Sequence, residues 1–269
     1  MDARPIGVFD SGLGGLTTVK KLAEFLPEED IVYLGDTGRV PYGSRSRDTI
    51  IKYARQDAAF LAGFGIKAMV IACNTVCSVA FKALDSIYDL PVYEVIGAPA
   101  RTAAGITKNG RIGVIGTAAT IRSGAYEEAL KKITPELLVF STPCPLFVPL
   151  AENGRTSADD IAALTIAEDY LARLLKSQVD TLILGCTHYP LLRNVISKVM
   201  GAGVTLIDSG AETAKLVVED LRARDITSPG GTGGTIKYFV TDSIDGFSEL
   251  ASRFLESNVQ GMVEQITIE

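Results

Sequence analysis

The chain has 269 residues, 47% of them hydrophobic, with 26 Lys plus Arg against 32 Asp plus Glu and a formal net charge of −6. Such an apolar fraction with mixed charge excludes a disordered chain, and four cysteines in this length exclude a disulfide-stapled miniprotein. A net acidic chain lacks the electrostatic footprint of a general nucleic-acid binder, and the single histidine, His188, excludes a zinc site built from several His ligands.

Single hydrophobic cores stop growing at roughly 250–300 residues, so two domains are at least as expected as one. The N-terminus, MDARPIGVFDSG, has no apolar signal segment and leads directly into a strand. Apolar runs such as Met69 to Cys73 and Thr181 to Cys186 are strand-length, far below the roughly 20 residues of a membrane span. A cytoplasmic protein with reduced cysteines and no membrane association is expected.

In chain order, Pro5 to Asp10 reads as a buried strand followed by a Gly-rich turn. Leu16, Val19, Leu22, Ala23 and Leu26 recur at helical spacing, and Pro27 ends that helix. Ile31 to Gly35 reads as a strand, Thr49 to Phe64 as a helix, Ala68 to Cys73 as a strand, and Pro91 to Ile96 as a strand after another helix. Strands separated by helices predict parallel βαβ units, with ligands bound beyond the carboxyl ends of the strands.

The second half echoes the first. Ile6-Gly7-Val8 recurs as Ile112-Gly113-Val114, KAMVIACNT is echoed by VDTLILGCT, and Pro91 to Ile96 has a partner in Val204 to Asp208. Shared order and paired cysteines point to two related α/β halves. The tail predicts a helix (Ala211 to Arg224), a flexible surface hairpin at Pro229 to Gly234, a strand (Ile236 to Thr241) and a last helix. The expected fold is α/β: two pseudo-symmetric domains, each a mostly parallel sheet flanked by helices, with the site in the cleft between them. The domains are expected at residues 1–98 plus 208–269, and at 99–207.

Cys73 and Cys186 each fall where a predicted strand ends and a helix begins, where backbone amides and the helix dipole favour anions and lower a thiol's pKa. A buried free cysteine usually only packs. Two at matching places in two halves suggest chemistry instead. Cys77 and Cys144 read as packing residues, and no CxxC pair supplies a structural zinc site. His188, two positions after Cys186, has the side chain suited to exchange a proton with that thiol near neutrality. Asp10 is the corresponding polar neighbour in the first half, or simply opens the turn.

The run DSGLGG has Thr17 where a dinucleotide fingerprint needs its third glycine. Ser11, Asn74, Thr75, Thr117, Thr120 and Thr187 nevertheless gather at the same predicted strand ends. Individually such residues are usually helix caps; together they suit a small polar anion. One thiol on each side of a substrate carbon would take a proton from one face and return one to the other, inverting the centre. Fixed N–H and hydroxyl dipoles would have to stabilise the developing charge.

The segments GVFDSGLGGLT (7–17), YLGDTGRVPYGS (33–44), ACNTVCS (72–78), IGVIGTAAT (112–120) and GCTHYP (185–190) resemble, in this order, those of the glutamate racemases of the Asp/Glu racemase superfamily. The resemblance implies that Cys73 and Cys186 are the two acid/base residues, with Asp10 assisting the first and His188 and Glu152 the second. It also implies substrate contacts at Ser11, Pro41, Tyr42, Gly43, Asn74, Thr75, Thr117, Thr120 and Thr187. It further implies interconversion of L- and D-glutamate without cofactor or metal, supply of D-glutamate for peptidoglycan and so for cell shape, a homodimer, and no direct nucleic-acid partner. Two departures are visible: Gly38 stands in a DTAR-like stretch, and Val76-Cys77 follow CNT where Ala-Ser is common. Competing readings from the residues are an aspartate or hydantoin racemase, a related decarboxylase, and a non-catalytic anion-binding domain with structural or redox cysteines.

Overall fold

The structure is a computed structural model that describes residues 1–231, 233–259 and 261–268. The elements in chain order are β1 (Ile6–Asp10), α1 (Leu16–Phe25), β2 (Ile31–Gly35), α2 (Arg47–Ala62), β3 (Ala68–Ile71), α3 (Asn74–Asp85), β4 (Val92–Glu94) and α4 (Gly97–Ile106). These are followed by β5 (Arg111–Gly116), α5 (Ala118–Ser123), α6 (Ala125–Ile133), β6 (Leu138–Pro143), α7 (Phe147–Glu152), α8 (Ile161–Lys176), β7 (Thr181–Gly185), α9 (Arg193–Met200) and β8 (Thr205–Asp208). The tail adds α10 (Ser209–Ala223), β9 (Ile236–Val240), α11 (Ile244–Leu255) and β10 (Val263–Gln265).

Among the described residues the strands form two sheets, ordered β10-β9-β2-β1-β3-β4 and β6-β5-β7-β8. Every pairing in them is parallel. The run β2-β1-β3-β4 has the same connectivity as β6-β5-β7-β8, so the echo in the sequence is an echo in topology. Helices cover both faces, so the strands are apolar on both sides. In the first sheet Phe9, Val32, Leu34, Met69 and Ile71 join one core, while Ile6, Val8, Ile31, Tyr33, Ala68 and Val70 join the other. This is the period-two alternation of a sheet buried on both faces. The first of these cores continues through residues of α3, α4 and α6 into Ile112, Val114, Ile183 and Ile207 of the second sheet.

Two expectations need correction. The segment at Pro229–Gly234 is no hairpin, because it joins α10 to a strand that runs parallel to β2. Nor is its described part loose: the amides of Gly231 and Gly233 both donate to Glu28 Oε2, and Gly234 N donates to the Pro27 carbonyl. Thr232 lies outside the described residues. The sequence reading also missed β10, a short edge strand beside β9.

Candidate active site

Both thiols are buried at the carboxyl ends of corresponding strands, Cys73 beyond β3 and Cys186 beyond β7. Their settings differ. Cys73 caps α3 with extended backbone, and its thiol lies 3.2 Å from Ser11 Oγ. Cys186 sits in a bend, followed by a turn and a 3-10 segment at Tyr189–Leu192, and an α-helix begins only at Arg193. The expected helix start directly after Cys186 is therefore absent. The proline at the front of that 3-10 segment lacks the N–H needed to continue a hydrogen-bond ladder through it.

At Cys73 the expected lowering of the thiol pKa is also overturned. Burial pushes it up to about 12, the Asp10 charge adds to this, and hydrogen bonds from Ser11 and from backbone amides only partly oppose it. Asp10 is itself buried, which raises its carboxyl. The charge of His188, the amides of Gly15 and Gly12, and the Cys73 thiol pull it back. Its Oδ2 accepts from Gly12 N at 3.1 Å, so Asp10 both opens the turn and faces the thiol.

Around Cys186 the pattern is reversed. His188 Nδ1 faces Cys186 Sγ at 3.9 Å, and His188 Nε2 lies 3.0 Å from Glu152 Oε1. Burial alone would push the imidazole down. Its hydrogen bonds and charge interactions with Cys186 and Glu152 outweigh that and raise it to about 10, so His188 carries its proton at neutral pH. Glu152, in the last turn of α7, thus reaches the site despite its unremarkable sequence setting.

Two residues after Cys73, Thr75 joins a hydroxyl cluster with residues at the end of β5 and the start of α5. Thr75 and Thr117 hydroxyls are 3.0 Å apart, as are those of Thr117 and Thr120. Thr117 caps α5 by accepting from Thr120 N. Thr187, next to Cys186, is buried. Asn74 donates to Tyr126 Oη at 2.7 Å, and its Oδ1 is buried without a hydrogen-bond partner.

The Pro41-Tyr42-Gly43 segment lies against this cluster, with the α-carbon of Gly43 turned to Thr117. Tyr42 points its phenol the other way, into the core, where it donates to Asp36 and to Asp57. Any substrate contact at Tyr42 therefore falls to its backbone. Arg39 completes this buried knot, with Nε on Asp36 at 2.6 Å and Nη2 on Asp57 at 2.7 Å. Burial and the neighbouring Asp36 push the Asp57 carboxyl well up, against the pull of Arg39.

Residues outside the expected set also meet the site. Thr17 donates its hydroxyl to the Thr187 carbonyl at 3.1 Å, joining the opening loop of the first sheet to the cysteine motif of the second. Gly14 lies so close that an added Cβ would overlap Thr187 Oγ1 and His188 Nδ1. From the tail, Phe254 meets the His188 ring edge-to-face with centroids 5.6 Å apart. Thr17 was visible in the sequence as the residue displacing a third glycine; Phe254 carried no signal beyond an apolar helix position.

Cys77 donates to the Ile71 carbonyl, and Cys144 is buried in a separate core of the second sheet with Ile115, Leu182 and Leu184. Among the described residues no group of three or more His, Cys, Asp or Glu side chains is placed to hold a metal ion, and no helix is long and apolar enough to cross a membrane.

Known proteins of similar sequence and structure fall in one family. Residues 14–217 match the Asp/Glu/Hydantoin racemase family. A glutamate racemase of Geobacter metallireducens is 48% identical over 100% of this chain and 98% of its own length. Glutamate racemase isoform RacE1 of Bacillus anthracis superposes with a TM-score of 0.93 at 38% identity, over 99% of this chain and 98% of that one. The glutamate racemase of Francisella tularensis, solved with D-glutamate, superposes with a TM-score of 0.92 at 38% identity over the same shares. The chain belongs to the Asp/Glu/hydantoin racemase family.

Proposed function

We propose that this protein racemises glutamate by moving protons between the α-carbon and two thiols, Cys73 and Cys186, on opposite faces of the substrate. The observation that carries the reading is the pairing of unlike settings. Each thiol ends a corresponding strand, one beside a buried carboxyl and the other beside a protonated imidazole. The D-glutamate bound to the Francisella tularensis relative supports the choice of substrate.

In one direction Asp10, made more basic by burial, takes the Cys73 proton, and the thiolate removes the α-proton. Cys186, protonated with the help of His188, returns a proton to the other face. In the reverse direction the roles exchange. Nothing is oxidised or reduced, and the enzyme ends with one proton moved from the Cys186–His188 pair to the Cys73–Asp10 pair, or back. The hydroxyls of Ser11, Thr75, Thr117, Thr120 and Thr187 and the backbone at Pro41, Tyr42 and Gly43 bind the carboxylates. The Asn74 carboxamide oxygen is free to accept from the ammonium. Fixed dipoles in a dry site stabilise the charge that develops as the α-proton leaves.

We assign residues 1–98 with 208–269 to one domain and 99–207 to the other, with the boundaries falling inside α4 and at the last residue of β8. A cytoplasmic homodimer supplying D-glutamate to peptidoglycan, and through it maintaining cell shape, is the matching cellular role.

The test follows optical rotation of L-glutamate and of D-glutamate separately, with chelator-treated protein free of visible cofactor absorbance. Loss of rotation from both enantiomers is expected; no change in either refutes the reading. In deuterated water each enantiomer should gain solvent deuterium mainly as it becomes its mirror image.

A further inference from the structure

The His188 imidazole belongs by sequence to the second sheet, yet much of its surroundings comes from elsewhere. Its Nε2 meets Glu152 and its Nδ1 faces Cys186, both from the second sheet's elements. Gly14, from the loop after β1, backs onto its Nδ1 and Cε1. A further neighbour is Phe254, in the final turn of α11, with its ring at 89° to the imidazole. Phe254 is rooted in the outer core of the first sheet beside Phe247, Ala251 and Leu255. The adjacent Arg253 reaches the Glu152 carbonyl at 3.4 Å, so α11 touches both members of the Glu152–His188 pair.

We infer that Phe254 is a positioning residue for racemisation: the tail helix holds the His188 ring edge-to-face and keeps its two nitrogens aligned on Cys186 and Glu152. The inference rests on the functional reading above for its kinetic consequence, but the alignment itself is a property of the folded chain. Edge-to-face aromatic pairs have a preferred geometry, and an aliphatic side chain of similar size fills the space without imposing it. An imidazole free to tilt loses the line between Cys186 and Glu152, although both partners remain.

His188 is the only histidine in the chain, so its ring resonances are unambiguous in imidazole-labelled protein. The charged and titratable groups facing it are Cys186, Glu152 and Asp10, and each is left intact by substitution at Phe254. In Phe254→Leu the upfield or downfield ring-current shifts on His188 should collapse, and its titration midpoint should move from about 10 toward the ordinary 6.5. The kcat for glutamate should fall roughly ten- to hundredfold, the size of effect a small misplacement of a proton-transfer group produces, with KM little changed. Phe254→Tyr retains the ring and should retain both the His188 spectrum and most of kcat.

A His188 titration and kcat unchanged in Phe254→Leu would overturn the inference. So would equal losses in the Leu and Tyr variants, which mark Phe254 as packing only. Should the unsubstituted protein leave both glutamate enantiomers untouched, the functional reading falls, and the His188 spectra alone still decide whether Phe254 orients the ring.

Discussion

Glu152 Oε1 lies 3.0 Å from His188 Nε2, on the side of the imidazole away from Cys186. This contact joins the end of α7 to the bend after β7 and helps keep the imidazole protonated. Glu152→Gln removes the charge while keeping the side-chain length. The His188 titration midpoint should drop below its value of about 10, and the alkaline limb of kcat should move down with it. A pH–rate profile on both proteins checks this.

The same group links pH to stability. Its pKa is higher folded than the ordinary 6.5, so the folded state holds the proton more tightly. That contribution is fully present below pH 6.5 and is lost as pH rises toward about 10. Urea unfolding across this window should show a stability decline in the natural protein that is absent from His188→Gln.

Cys73→Ala and Cys186→Ala should each lower racemisation by roughly a thousandfold or more, since positioned acid–base groups contribute about 10²–10⁴ each. Retention of full activity in either variant refutes the role of that thiol.

Asp10→Asn separates basicity from charge. Without the carboxylate's charge the Cys73 thiol should titrate below about 12, seen as faster alkylation at high pH in a background lacking Cys77. Turnover should nevertheless fall, because the group that accepts the thiol proton is gone. A variant with both an easier thiol and higher kcat contradicts the proposed proton path.

Away from the site, Lys67 and Glu29 form an ion pair with both side chains almost fully buried. Lys67→Met leaves Glu29 buried with an unpaired charge, and a loss of about 3–5 kcal/mol is expected from denaturant unfolding. Racemisation per folded molecule should be unchanged.

Most of the architecture was legible because a parallel sheet covered on both faces writes continuous apolar strands, and because β1, β3 and β4 have partners in β5, β7 and β8. The paired cysteines and their hydroxyl neighbours were legible for the same reason: strand ends are where such sites form. The electrostatics were not. Position at a helix start suggested an easily ionised Cys73, whereas complete burial beside Asp10 dominates. The Asp36–Arg39–Asp57–Tyr42 knot was hidden because charged residues read as surface until their partners are known. The strand β10 was missed because its three residues, Val263–Gln265, sit at an edge and have no apolar alternation.

The pseudo-symmetry is broken by the tail, whose strands β9 and β10 extend the first sheet only and whose helix α11 reaches the second thiol's histidine. Mirror-image substrates have equal free energies in water, so the efficiency kcat/KM must be the same from either enantiomer, whatever the protein does. Inequivalent thiols can therefore express themselves only in how tightly each enantiomer is held and how fast the saturated enzyme turns over. An appendage grown on one half leaves the enzyme's overall balance untouched while giving its two directions different working ranges of concentration.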